Sequence, residues 1–150
     1  MPAGFAPFDV AALGGKVYVA YAMQDAQKHD DVAGSGNGAV SVFDQTGTLV
    51  KSLVATGGVL DSPWALVSVP SAGFAGFSSG TLLVGNFGDG AVHAFDATSG
   101  ASLGALATAT GALAIDGLWA LQFSSAGDRL YFTAGPNDEA NGLFGYLSAP

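Results

Sequence analysis

An all-β fold made of three consecutive copies of one antiparallel unit is what this sequence predicts, on three observations. The first is a recurring motif: Asn37-Gly38-Ala39-Val40-Ser41-Val42-Phe43-Asp44, then Asp89-Gly90-Ala91-Val92-His93-Ala94-Phe95-Asp96, then Asn141-Gly142-Leu143-Phe144-Gly145-Tyr146, at a spacing of 52 residues. The second is glycine, 23 of 150 residues, which without a collagen period marks many tight turns between short strands. The third is that the segments around each motif are themselves short β-rich runs.

Taken in chain order, each unit opens on an aromatic-led strand: Pro7-Phe8-Asp9-Val10, Pro63-Trp64-Ala65-Leu66 and Leu118-Trp119-Ala120-Leu121, with starts 56 and 55 residues apart. A second strand follows at Val17–Tyr21, Leu82–Asn86 and Leu130–Ala134, and the recurring motif is the third. In the first two units a turn from Asp44 to Gly47 or from Asp96 to Gly100 leads to a fourth strand, Thr48–Leu53 or Ser102–Leu106. The aspartate there accepts backbone N–H groups and the glycine supplies positive φ, so turn chemistry accounts for Asp44 and Asp96. The units run from about 7 to 55, 62 to 108 and 117 to 150, and the last stops after its third strand.

Four antiparallel strands in about 50 residues is the blade of a β-propeller; a solenoid or a sandwich is the alternative. Three blades make half of a six-bladed ring and leave apolar flanks open. The expectation is therefore a homodimer that completes the ring through a two-fold axis, with an open trimer or a partner chain as alternatives.

Composition narrows function. With 49% hydrophobic and 11% charged residues the chain packs a core rather than staying disordered. No cysteine is present, which removes disulfides, thiolate nucleophiles and Cys-type zinc sites. A net charge of -8 repels phosphate backbones, so nucleic acid is not an expected partner. No apolar run reaches the roughly 18 residues of a membrane span, and the opening MPAGFAPF lacks the basic segment of a signal peptide, so the chain reads as soluble. Gly-x-Ser-x-Gly, phosphate-loop and His-Glu-x-x-His motifs are absent.

The segments Tyr21–Asp25, Lys28–Gly34, Leu83–Gly90, Ile115–Trp119 and Tyr131–Asn137 resemble those of a bacterial family of conserved hypothetical propeller proteins often found with exosortase-type sorting signals. The resemblance covers essentially the whole chain and is to the C-terminal half of that family, whose members are about twice this length and often exported. It implies the propeller fold and leaves activity open.

In such a fold the loops leaving second strands and those entering first strands share one face. Nine of the twelve carboxylates fall there: Asp9, Asp25, Asp30, Asp31, Asp61, Asp89, Asp116, Asp138 and Glu139. Carboxylates with Asn amides suit Ca²⁺, and the candidate ligands are Asn86, Asp89, Asp116, Asn137 and Asp138; shaping of Gly-containing turns is the competing role. In the long loop from Gln24 to Gly38, His29 beside Asp30 and Asp31 is a candidate general base, with a solvated loop histidine as the alternative. Trp64 and Trp119 either pack between blades or wall a ligand site with Asp61. His93 alternates within a third strand and reads as a blade-surface residue.

Two functions compete. One is calcium-assisted hydrolysis of a small lactone or ester, such as an acyl-homoserine lactone, similar in architecture to six-bladed calcium propellers that open lactones. The other is a noncatalytic binding or scaffold module.

Overall fold

The computed structural model describes residues 1–149, and the final residue expected in the third unit, Pro150, lies outside them. Among the described residues there are no helices, and the strands are β1 (Phe5–Leu13), β2 (Lys16–Met23), β3 (Gly38–Phe43), β4 (Leu49–Val54), β5 (Pro63–Ser68), β6 (Leu82–Asn86), β7 (Val92–Phe95), β8 (Ser102–Ala105), β9 (Ala107–Thr108), β10 (Gly111–Ala112), β11 (Leu118–Phe123), β12 (Arg129–Ala134) and β13 (Leu143–Ser148). They form two four-stranded antiparallel sheets, β1-β2-β3-β4 and β5-β6-β7-β8, a three-stranded sheet β11-β12-β13, and a small hairpin β9-β10. The expected strand order within each unit is present. β1 runs longer than expected at both ends, and the hairpin lies in the connector after the second sheet, where no strand is expected.

Period-two alternation sorts the side chains of each sheet onto two neighbours. Tyr18, Ala20, Val40 and Val42 of the first sheet meet Leu66, Leu82, Val84 and Phe95 of the second. The opposite face of the second sheet, with Ala65, Val67, Leu83, Val92 and Ala94, meets Leu118, Leu121, Leu130 and Ala134 of the third. Leu82, Leu83 and Val84 are thus consecutive, all buried, and directed alternately at two different sheets. Gly85 is small because a Cβ there would stand 2.8 Å from Leu118 Cδ2.

One device repeats in all three sheets. Pro7 pairs with Tyr21, Pro63 with Asn86 and Leu118 with Ala134; the pairing then resumes at Asp9–Ala20, Ala65–Gly85 and Ala120–Thr133. The residue skipped each time is Phe8, Trp64 or Trp119. A β-bulge inserts one unpaired residue and re-aims its side chain, so the aromatic position shared by the three first strands is the bulged one.

The lower turns follow the local chemistry expected of them. Asp44 Oδ1 accepts the N–H groups of Thr46 and Thr48 at 2.9 Å each, and Asp96 Oδ1 accepts those of Thr98 at 3.0 Å and Ser99 at 2.6 Å. These hydrogen bonds hold both carboxyls below the ordinary range, the largest cause being the Thr46 hydroxyl for Asp44 and the Ser99 N–H for Asp96. Among the described residues no further sheet covers the outer face of the third, and there Phe144 is 70% and Tyr146 is 52% exposed. In the second sheet the positions in matching register, Val92 and Ala94, are wholly buried.

Candidate functional site

The antiparallel order brings the loops after β2, β6 and β12 to the same end as the connectors that enter β5 and β11. The loop after β2 folds back on itself: Gln24 bridges Asp31, and Asp25 Oδ1 takes the His29 N–H at 2.8 Å, which holds the Asp25 carboxyl low. This loop is clamped to the next connector by Gly34 N–H donating to Asp61 Oδ1 at 2.7 Å and Gly36 N–H to the Leu60 carbonyl at 2.9 Å. Asp61 is buried in that clamp, and a Cβ at Gly88 would collide with its carboxylate.

Against this end lies a cleft of ≈ 260 Å³ lined by Phe8, Met23, His29, Asp30, Asp31, Trp64, Phe87 and Glu139, among others. Its aromatic wall is continuous. The Phe8 and Trp64 rings are 4.7 Å apart between centroids at 46°, and Trp64 and Phe87 are 5.6 Å apart at 59°. Tilted rings at these separations are within the range of favourable aromatic pairing. The rim is acidic. Burial pushes the Asp31 carboxyl above 3.8, with the Asp30 charge adding to the rise.

Glu139 reaches the same rim from the third sheet. Its Oε1 accepts the Trp119 indole N–H at 2.7 Å, and Trp119 lies over Gly135, where a Cβ would strike the ring. The loop that carries it is held in an unusual backbone: Asn137, Asp138 and Glu139 have φ of 60°, 51° and 60°. Left-handed conformations cost an L-residue on the order of 1 kcal/mol each and persist where the surroundings impose them. Here the Asn137 N–H donates to Asp116 Oδ2 at 2.9 Å and its side chain donates to Asn141 Oδ1 at 3.0 Å.

The sequence-expected residues therefore divide. His29, Asp30, Asp31 and Trp64 come together in the cleft, with Asp61 behind them in the loop clamp. Asn86 and Asp89 sit at a different place: Asn86 is wholly buried and its Nδ2 donates to the Val59 carbonyl at 3.1 Å and to Asp89 Oδ1 at 3.0 Å, an oxygen that also takes the Ala91 N–H. Asp116 and Asn137 bind each other at the next junction, with Asp138 beside them. The five expected calcium ligands thus lie at two separate junctions, and among the described residues no three of His, Asp and Glu gather at metal-binding distance. His93, expected on a blade surface, is half-buried; burial lowers its pKa against the opposing Asp89 charge, and its Nε2 has no partner.

Phe8, Phe87 and Glu139 complete the cleft without having been singled out as binding residues. The available signal is positional: Phe8 aligns with Trp64 and Trp119, and Phe87 with Gly135.

No family model matches the chain. It is similar to an uncharacterized protein of Acanthamoeba polyphaga mimivirus, 34% identical over 150 residues that cover 98% of this chain and 36% of that protein. A second uncharacterized protein of the same virus is 32% identical, over 98% of this chain and 39% of its own length. The chain thus spans well under half the length of these curated relatives. Among solved structures, the hydrazine synthase of Kuenenia stuttgartiensis superposes with a TM-score of 0.53 at 15% identity, over 95% of this chain and 46% of that one. That likeness is one of fold. Among the described residues no helix is long and apolar enough to cross a membrane.

Proposed function

We propose that the three sheets are propeller blades and that their loop end is a noncatalytic binding module for a small organic cation. The observation that carries this reading is the arc of Phe8, Trp64 and Phe87 walled by Asp30, Asp31 and Glu139. Aromatic faces are the negative part of the ring quadrupole, and a cation within about 6 Å of a Trp centroid gains roughly 0.5–2 kcal/mol, more as water is excluded. The carboxylates add direct attraction, and a net charge of -8 raises the local concentration of cations. Titration with choline, followed by tryptophan fluorescence, is expected to give a saturable response that weakens with salt and is lost in Trp64→Ala. An equal response to the uncharged carbon isostere of choline would sink the charge selectivity.

Completion of a six-bladed ring by a second copy belongs to the same proposal. It is supported by Phe144 and Tyr146, exposed where the matching Val92 and Ala94 are covered by the next sheet. Light scattering is expected to give twice the 14.8 kDa chain mass; a monodisperse single-chain mass would remove the homodimer.

A second reading, favoured by His29 lining the same cleft as Trp64, is hydrolysis of a small lactone or ester with His29 accepting a proton from water. The scattered carboxylates and amides give no basis for routing a step through calcium. Turnover of short and long acyl lactones, lost in His29→Ala, is the expected result under this reading; no turnover with or without chelator would eliminate it.

A further inference from the structure

Three carboxylates line the aromatic cleft, and no lysine or arginine does. They come from different sheets. Asp30 and Asp31 belong to the loop after β2 of the first sheet and lie together, the Asp31 N–H donating to Asp30 Oδ1 at 2.9 Å. Glu139 belongs to the loop after β12 of the third sheet. The second sheet stands between those two, packed on the first through Leu66, Leu82 and Val84 and on the third through Ala65, Val67 and Leu83. It supplies Trp64 and Phe87, so the cleft has an aromatic middle and an acidic pole at each end. The poles stay apart: among the described residues Glu139 does not join Asp30 and Asp31 at metal-binding distance. We infer that the ligand of this cleft is a linear diammonium ion, an α,ω-diaminoalkane, with one ammonium on Asp30 and Asp31, its methylene chain along Trp64 and the other ammonium on Glu139.

Simpler occupants fit less well. A metal ion needs its oxygen ligands within one coordination sphere, and a lone ammonium meets one pole and leaves the charge of the other unanswered. A dication answers both, and the alkyl chain between its charges buries apolar surface on the rings. The Glu139 pole is set in advance of any ligand. Its Oε1 accepts the Trp119 indole N–H at 2.7 Å, its own N–H donates to the Gly135 carbonyl at 3.1 Å, and the left-handed run from Asn137 to Glu139 is tied to Asp116. Backbone strain of this kind persists where the surroundings over-determine it, and a pole already held in place costs little ordering entropy on binding. Trp119 takes one oxygen of the carboxylate and leaves Oε2 to the ligand.

A diammonium ligand rests on the cleft being a cation site, and the two claims fail separately. The probes are cadaverine and pentylamine, which share one carbon chain and differ by an ammonium, titrated into the full chain at neutral pH by calorimetry. Cadaverine is expected to bind about tenfold more tightly, the size of one further hydrogen-bonded charge contact. In Glu139→Gln, whose amide oxygen still accepts from Trp119, the two amines are expected to bind equally. Asp128→Asn makes the same change in net charge in the turn between β11 and β12, at the opposite end of the sheet, where Asp128 accepts from the Ser124 hydroxyl. That variant is expected to keep the tenfold preference. Equal binding of the two amines by the parent, a preference that survives in Glu139→Gln, or one lost to the same extent in Asp128→Asn would overturn the diammonium ligand while the choline response stands. No response to choline or to either amine would remove the cation site itself, and the diammonium ligand with it.

Discussion

Trp64 and Trp119 stand at the same register position, each in a bulge one residue after the start of its sheet, yet they make different surroundings. Beyond the end of β6 the chain places Phe87 against Trp64, and beyond the end of β12 it places Gly135 beneath Trp119. The first arrangement builds a wall of three rings. The second lets the indole pack closely against Gly135 and donate its N–H to Glu139. A shared backbone device thus fixes where an aromatic side chain emerges, and one neighbouring residue decides whether it joins a cleft or buttresses its rim.

The largest expected effect breaks the second arrangement. Gly135→Ala puts a methyl into the Trp119 ring, and overpacking of this kind costs about 1–3 kcal/mol; chemical denaturation should show the loss, with a change in indole fluorescence. Next, Phe87→Ala removes the far wall of the Trp64 arc. Loss of an aromatic pair with part of its buried area costs about 1–2 kcal/mol, and the choline response should fall in the same variant.

A smaller effect of opposite sign is expected at the strand entries. Ser62 and Gly117 both precede their first strands with positive φ, 46° and 63°. Ser62 is wholly buried and its hydroxyl has no hydrogen bond. Ser62→Gly relieves the left-handed strain and deletes an unsatisfied polar group, against the extra chain entropy of glycine, for a net gain of about 1 kcal/mol. Thermal melts should show it as a rise of about 2–4 °C.

The smallest effect is electrostatic. Because burial raises the folded pKa of Asp31 above 3.8, its ionisation in the fold at neutral pH costs stability, and that cost disappears as pH falls through the raised value. Asp31→Asn should therefore melt slightly higher than the parent at pH 7. The difference should close as pH is lowered towards 3.8. In the same range the parent's affinity for choline should fall, as the carboxylate that attracts it is neutralised. A gap between the melts that widens on acidification would contradict the placement of Asp31.

Much of this was legible in the residues because it is local. The triplicate motif, the strand order within each unit and the Asp44 and Asp96 turns depend on neighbours a few positions away, and antiparallel order alone sends eight acidic loop residues to one end. The grouping of those residues was not legible. Asn86 and Asp89 turn towards each other, and Asp116 turns to Asn137, because backbone N–H groups and amides at each junction take their oxygens first. Recurrence at matching positions read as a shared site, whereas each junction holds its own pair.

What the sequence determined by itself was the repeat: period-two burial, glycine turns and an aromatic at one fixed place in every first strand. What only the tertiary structure decided was which of those aromatics face each other, since the bulge that re-aims Phe8 and Trp64 and the packing that brings Phe87 and Glu139 beside them join residues from three sheets. Local chemistry sets where a side chain leaves the backbone; the distances between side chains are set by how the sheets stack, and no short stretch of sequence carries that information.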